Sequence, residues 1–185
     1  MAEIKGVAVL QSIDSIKARG GEEEFAKILA ELNPEAGSVF AGPISPWKWY
    51  SLDAFAALLD ADIRLTANGD REVLIARSEK VIEGQLRGIY KMFIKLGAPA
   101  YVIRRISSVH QAYFNGIHFI PEFAESKEAL IKYVGFEPRH EIMGYAIIGF
   151  YRKALEISGA KQVAVNFTVP ISAGGPYAEL KITWV

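Results

Sequence analysis

Two stretches near the C-terminal end alternate with a period of two. In "QVAVNFTV", Val163, Val165, Phe167 and Val169 fall on one side of an extended chain, with Gln162, Ala164, Asn166 and Thr168 on the other. In "YAELKITW", Ala178, Leu180, Ile182 and Trp184 alternate in the same way against Tyr177, Glu179, Lys181 and Thr183. Strict alternation is the mark of antiparallel strands with one dry and one wetter face. "PISAGGP" supplies the turn between them, and its glycines read as a hairpin rather than an anion-binding loop, because a strand and not a helix follows. Such a sheet needs a layer to cover its dry face.

The rest of the chain supplies that layer. Val7, Leu10, Ile13 and Ile16 recur every three residues and predict a helix over 4–19 ended by Gly20 and Gly21, with a strand over 5–10 as the competing reading. "EEEFAKILAEL" predicts a second helix with Phe25, Ile28, Leu29 and Leu32 on one face, stopped at Asn33-Pro34. Residues 33–50 read as a loop. Ser51 then caps a helix through "LDAFAALLDADIRL", closed by Asn68-Gly69. A long helix is expected from Asp70 to Leu96, and another from Pro99 to Asn115-Gly116 carrying Val102, Ile103, Ile106, Val109, His110 and Tyr113. "GIHFIPEF" and "EALIKYVGF" read as strands, and a further helix from about His140 to Ser158 precedes the final pair. The sum is α+β: a helical N-terminal part packed on a small antiparallel sheet with an inserted helix, in one domain over residues 1–185.

Charge and cysteine content exclude several functions. Lys plus Arg balances Asp plus Glu at 21 each, so no global field draws the chain to nucleic acid or anionic lipid. With no cysteine there is no thiolate catalysis, zinc ribbon or iron–sulfur cluster. No apolar run approaches the roughly 18 residues of a membrane span, and the first residues lack the apolar core of a signal peptide, so a cytoplasmic location is expected. No nucleophile elbow, Walker loop or Gly-x-Gly-x-x-Gly pattern is present, and the expectation is a non-catalytic protein. "PRHE" (138–141) gathers an arginine, a histidine and a glutamate, which the polarity of a helix start explains as well as acid–base work does.

The aromatic residues carry more. Trp47, Trp49 and Tyr50 lie in the expected loop, where they either staple it to the next helix or wall an apolar pocket. Tyr90, Phe93, Tyr113 and Phe114 are candidates for the opposite wall, and His110, in an otherwise apolar helix, is the polar candidate.

Several stretches carry a resemblance: "IKGVAVLQSID" followed by "RGGEE", "WYSLDAF", "LRGIYKMFIKLGAPAYVIRRI", "HQAYFNG", and "GYAIIGFYRKALEISGAK" with the final strand. Together they resemble an uncharacterised paralogous family of myxobacteria and other deltaproteobacteria, related to the heme–nitric oxide/oxygen binding (H-NOX) and 4-vinyl reductase ligand-binding domains. The resemblance implies a helical part over an antiparallel sheet and a sensing role. H-NOX proteins hold iron through a mid-chain histidine and bind the heme propionates through a downstream Tyr-x-Ser-x-Arg. His110 falls near the first position, but "YVGFEPR" puts Gly135 where serine is expected and Glu137 where arginine is, with Arg139 two residues late. A carboxylate repels propionates. The cysteine-rich zinc site of sensor-type 4-vinyl reductase domains has no counterpart without cysteine, and no metal site is expected from spacing, a histidine–carboxylate site assembled in three dimensions staying open.

The reading is therefore a signalling domain that binds or senses a small hydrophobic molecule at Trp47, Trp49, Tyr90, Phe93, His110 and Tyr113, with no cofactor, nucleic acid or membrane partner. The alternative is a protein–protein interaction or scaffolding module with a solid core, homodimeric or bound to another protein, with "LKITWV" as a strand edge for pairing. A third reading makes His110 the ligand of a heme iron.

Overall fold

A computed structural model describes residues 2–86, 99–125 and 127–185. The strand β1 (Glu3–Lys5) leads directly into α1 (Gly6–Ala30). Both competing readings of the first segment thus hold in part, the strand being shorter and earlier than expected. The expected stop at Gly20-Gly21 is a kink: Gly21 takes φ 71°, and the chain re-enters a helix at once. Asn33-Pro34 starts a helix instead of only ending one. The Asn33 side chain accepts the Ala36 N–H at 2.8 Å, and Pro34 occupies the first turn of α2 (Pro34–Phe40), where its missing donor costs nothing. Part of the expected loop is therefore helical.

After β2 (Trp49–Ser51), α3 (Leu52–Ala67) begins at the Ser51 cap, whose hydroxyl accepts the Ala54 N–H, and ends at Asn68 in the left-handed region. Its stripe of Leu52, Phe55, Leu58, Leu59 and Ile63 is buried, each side chain contributing about 1.5–3 kcal/mol. α4 (Arg71–Leu86) follows; the remainder of the expected long helix, including Tyr90 and Phe93, lies outside the described residues. α5 (Pro99–Tyr113) carries Val102, Ile103, Ile106 and His110 inward.

The second half is the four-stranded antiparallel sheet. β4 (His118–Glu125) pairs with β5 (Glu128–Val134), β5 with β7 (Ala178–Thr183), and β7 with β6 (Ala164–Val169), giving the order β4-β5-β7-β6. Ile131 faces Leu180 across the central pair, and both are fully buried. Because β7 is bonded on both sides and Trp184 is buried, "LKITWV" offers no edge, which corrects the strand-pairing expectation. α6 (Glu141–Ile157), entered through a 3-10 turn at Pro138–His140, is the inserted helix. It packs against α4 backbone to backbone at Gly149, where any Cβ would run into the Ile75 carbonyl oxygen. Ser78 fixes that seam by donating to the Ala146 carbonyl at 2.7 Å.

A second, smaller sheet was not expected. β1 pairs on one side with β2 and on the other with β3 (Phe114–Asn115), so Ile4 sits between Tyr50 and Phe114. Strands of two or three residues are too short to show a period.

Candidate functional site

Between the helices α1, α3 and α4 on one side and α5 and α6 on the other lies a cavity of about 300 Å³. Ala8, Ser12, Ser15 and Ile16 reach it from α1, and Phe55, Leu59 and Asp62 from α3. α4 adds Leu74, Arg77 and Val81; α5 adds Val102, Ile106, His110 and Tyr113; α6 adds Met143, Ile147 and Phe150. The wall is mostly hydrocarbon because the inward stripes of five amphipathic helices converge there.

Polar groups interrupt it, and two of them, His110 and Asp62, are buried. On α5, His110 is 5% exposed and caged by aromatic rings, with centroids at 4.6 Å to Phe150, 5.2 Å to Phe119, 5.3 Å to Tyr151 and 6.2 Å to Phe114. Burial without a charged partner depresses its pKa from 6.5 to about 3, so the imidazole is neutral at physiological pH. Its Nδ1 is buried and has no hydrogen-bond partner among the described residues. On α3, Asp62 is 3% exposed yet fully engaged: it accepts Arg19 Nη2 at 2.6 Å and Arg77 Nη1 at 2.9 Å. Arg77 Nη1 also donates to the Thr66 hydroxyl at 2.9 Å, and that hydroxyl donates to the Asp62 carbonyl at 2.6 Å.

The residues anticipated from sequence are thus divided. His110 and Tyr113 line the cavity. Tyr90 and Phe93 lie outside the described residues. Trp47 and Trp49 do not line it, a correction to their expected place: Trp47 is 80% exposed, and Trp49, on β2, is 38% exposed with the Lys5 ammonium 4.2 Å from its ring centroid. That cation–π contact holds Trp49 on the outer side of the small sheet. Asp62 and Arg77 were missed. Asp62 follows Leu58 and Leu59 by four and three residues, inside the apolar stripe of α3, and that register was the signal for a buried charge.

"PRHE" folds into a separate cluster that ties the two halves together. The fully buried His140 accepts the Glu137 N–H at Nδ1 (3.0 Å), which leaves its Nε2–H to donate to Asp53 on α3 at 2.6 Å. Arg139 adds a bond to the same carboxylate at 2.8 Å. Partial burial alone would raise the Asp53 pKa, but the bonds from His140 and Arg139 outweigh it and hold the carboxyl below its ordinary value.

The architecture is that of H-NOX domains. No family model and no curated protein matches the chain; the likeness is to solved structures. An H-NOX protein from S. oneidensis in the Fe(II)NO ligation state superposes with a TM-score of 0.72 at 15% identity, over 98% of this chain and 99% of that one. The Fe(II) unliganded form of a point mutant of an H-NOX protein from K. algicida gives 0.70 at 14% identity over 98% and 97%. An oxygen-binding H-NOX domain related to soluble guanylate cyclases, in its oxygen complex, gives 0.64 at 12% over 98% and 95%. At such identities the likeness establishes the fold and leaves the ligand to the residues.

Those residues do not fit heme. The cavity, about 300 Å³, lies at the small end of the roughly 300–1,000 Å³ of small-molecule pockets. The propionate anchor is missing in a way that no single substitution repairs. Gly135, where the motif needs serine, takes φ 107°, and a Cβ there would collide with the Gly116 carbonyl oxygen. Tyr133 is fully buried, with Phe119 at 5.0 Å and Phe136 and Phe167 at 5.9 Å, and does not line the cavity. Burial and the neighbouring Tyr151 hydroxyl raise its pKa well above 10. Glu137 is at the surface, bound to Arg139 at 2.9 Å. Among the described residues, no group of three or more His, Asp or Glu is placed to hold a metal ion, and no helix is long and apolar enough to cross a membrane.

Proposed function

We propose that this chain is a ligand-binding domain that senses a small, largely apolar molecule and performs no chemistry on it. One observation carries the reading: five helices from both halves bring their apolar faces together around a space of ligand size instead of meeting flush. Close packing is the rule in protein interiors. A ligand there touches both halves at once, so its binding energy favours one arrangement of α1, α3 and α4 against α5 and α6. That population shift is the signal a partner protein reads.

The test uses 1-octanol, a neutral molecule of the right size. It should raise the thermal unfolding midpoint of the protein in proportion to the logarithm of its concentration, as expected of a ligand that binds only the folded state. Ala8→Leu, which fills the cavity from the α1 side, should weaken the response at least tenfold. Native mass spectra of protein purified without denaturant should show an added small-molecule mass. No response to any apolar probe of this size, with wild type and Ala8→Leu indistinguishable, would overturn the reading. The interaction-module alternative draws on Trp47, the most exposed large apolar side chain among the described residues. It requires a light-scattering mass above the monomer that Trp47→Ala abolishes.

A further inference from the structure

The cavity has one wall whose hydrogen-bonding capacity is not spent. Arg77 Nη1 is saturated by Asp62 and Thr66, but its Nε and Nη2 have no partner among the described residues. On α1, the half-buried Ser12 and Ser15 likewise make no side-chain hydrogen bond there, and both line the cavity. These groups belong to one place. Ser12, Ser15 and Arg19 follow at spacings of three and four, hence on one face of α1. Arg19 grips Asp62, and Asp62 grips Arg77. The ion cluster therefore holds the guanidinium at the Ser15 end of an otherwise apolar space.

The unspent edge has a definite chemistry. Nε–H and Nη2–H of one guanidinium point the same way, and that fork matches the two oxygens of a carboxylate. Arg19 is shared between Asp62 and the partly buried Glu24, so in this cluster two carboxylates meet two guanidinium groups. His110, neutral on the α5 wall, adds no charge of either sign.

We propose that the occupant is a small apolar carboxylic acid. Its carboxylate is forked on the Nε–Nη2 edge of Arg77 and takes further hydrogen bonds from Ser12 and Ser15, and its hydrocarbon or aromatic body lies against Val102, Ile106 and Ile147. This rests on reading the cavity as a ligand site and names the class of ligand. A space of about 300 Å³ suits such a small molecule.

Octanoate and 1-octanol, nearly equal in length and differing in the head group, separate the two ideas by titration calorimetry at pH 7. Octanoate should bind wild type at least tenfold more tightly than 1-octanol. Arg77→Lys keeps a cation for Asp62 but loses the fork, and should erase most of that advantage, read as the ratio of octanoate to 1-octanol affinity. The double variant Ser12→Ala/Ser15→Ala leaves the ion cluster intact and should weaken octanoate about threefold; it decides the matter if Arg77→Lys fails to fold. Equal affinity for the two probes, or an octanoate advantage that survives in the variants, overturns the carboxylate assignment and leaves the apolar-ligand reading standing. Failure of both probes to bind overturns both.

Discussion

Two walls of one cavity bury an ionisable side chain, and they treat it in opposite ways. Asp62 has two guanidinium groups on its carboxylate, at 2.6 and 2.9 Å. His110 is caged by aromatic rings, its buried Nδ1 has no partner among the described residues, and it gives up its charge. Depth is nearly equal, 3% against 5% exposed. What differs is the company: charged partners surround the buried carboxyl, and aromatic rings surround the buried imidazole.

Asp62→Ala should produce the largest effect. It strands Arg77 against an apolar wall, and breaking a buried ion pair from one side costs about 3 kcal/mol, to be read from denaturant unfolding. A loss near zero would mean that both arginines simply turn to solvent, and the contrast between the walls would fail.

His110→Phe comes next and reads the opposite wall. The folded-state pKa of about 3 lies below the ordinary 6.5, so the unfolded chain binds the extra proton between those values and wild type loses stability as pH falls through that window. At pH 5 the penalty is about 2 kcal/mol. The phenylalanine variant, which fits the same aromatic cage, should lose none of it and show a flatter stability profile from pH 6.5 to 4. A slope equal to that of wild type would mean that His110 finds a proton-accepting partner in the fold.

The smallest effect belongs to Asp53→Asn, where the carboxylate is one-third exposed. Its lowered pKa means that its contribution is present above the ordinary 3.8 and is lost as pH falls through the lowered value. After allowance for solvent screening, the loss at pH 7 should be under about 1 kcal/mol. A larger loss would make the link between α3 and the turn before α6 comparable to the Asp62 cluster.

The sequence discloses unevenly what this comparison rests on. The strands β5 and β7, the capped helix α3 and the inserted helix α6 were legible because each carries several turns or pleats of one period, with polar punctuation at its ends. The three-stranded sheet was not, since Glu3–Lys5, Trp49–Ser51 and Phe114–Asn115 each complete at most one alternation. Asn33-Pro34 shows a different difficulty, because one dipeptide both ends a helix and caps the next. At the site, His110 stood out as a rare residue in an apolar helix. Arg77 did not, because an arginine on a polar-rich helix reads as solvated until its tertiary partner is known. Trp47 misled through its bulk, which suggests burial although a single exposed tryptophan violates no physical rule.

The unexpected small sheet carries a mechanical consequence. Ile4 lines the cavity and sits on the middle strand, hydrogen-bonded in register to the chain entering α3 on one flank and leaving α5 on the other. A guest that nudges this one isoleucine tugs three segments, distant in sequence, through a single knot of backbone. The strain arrives together at the root of α1, the root of α3 and the tip of α5.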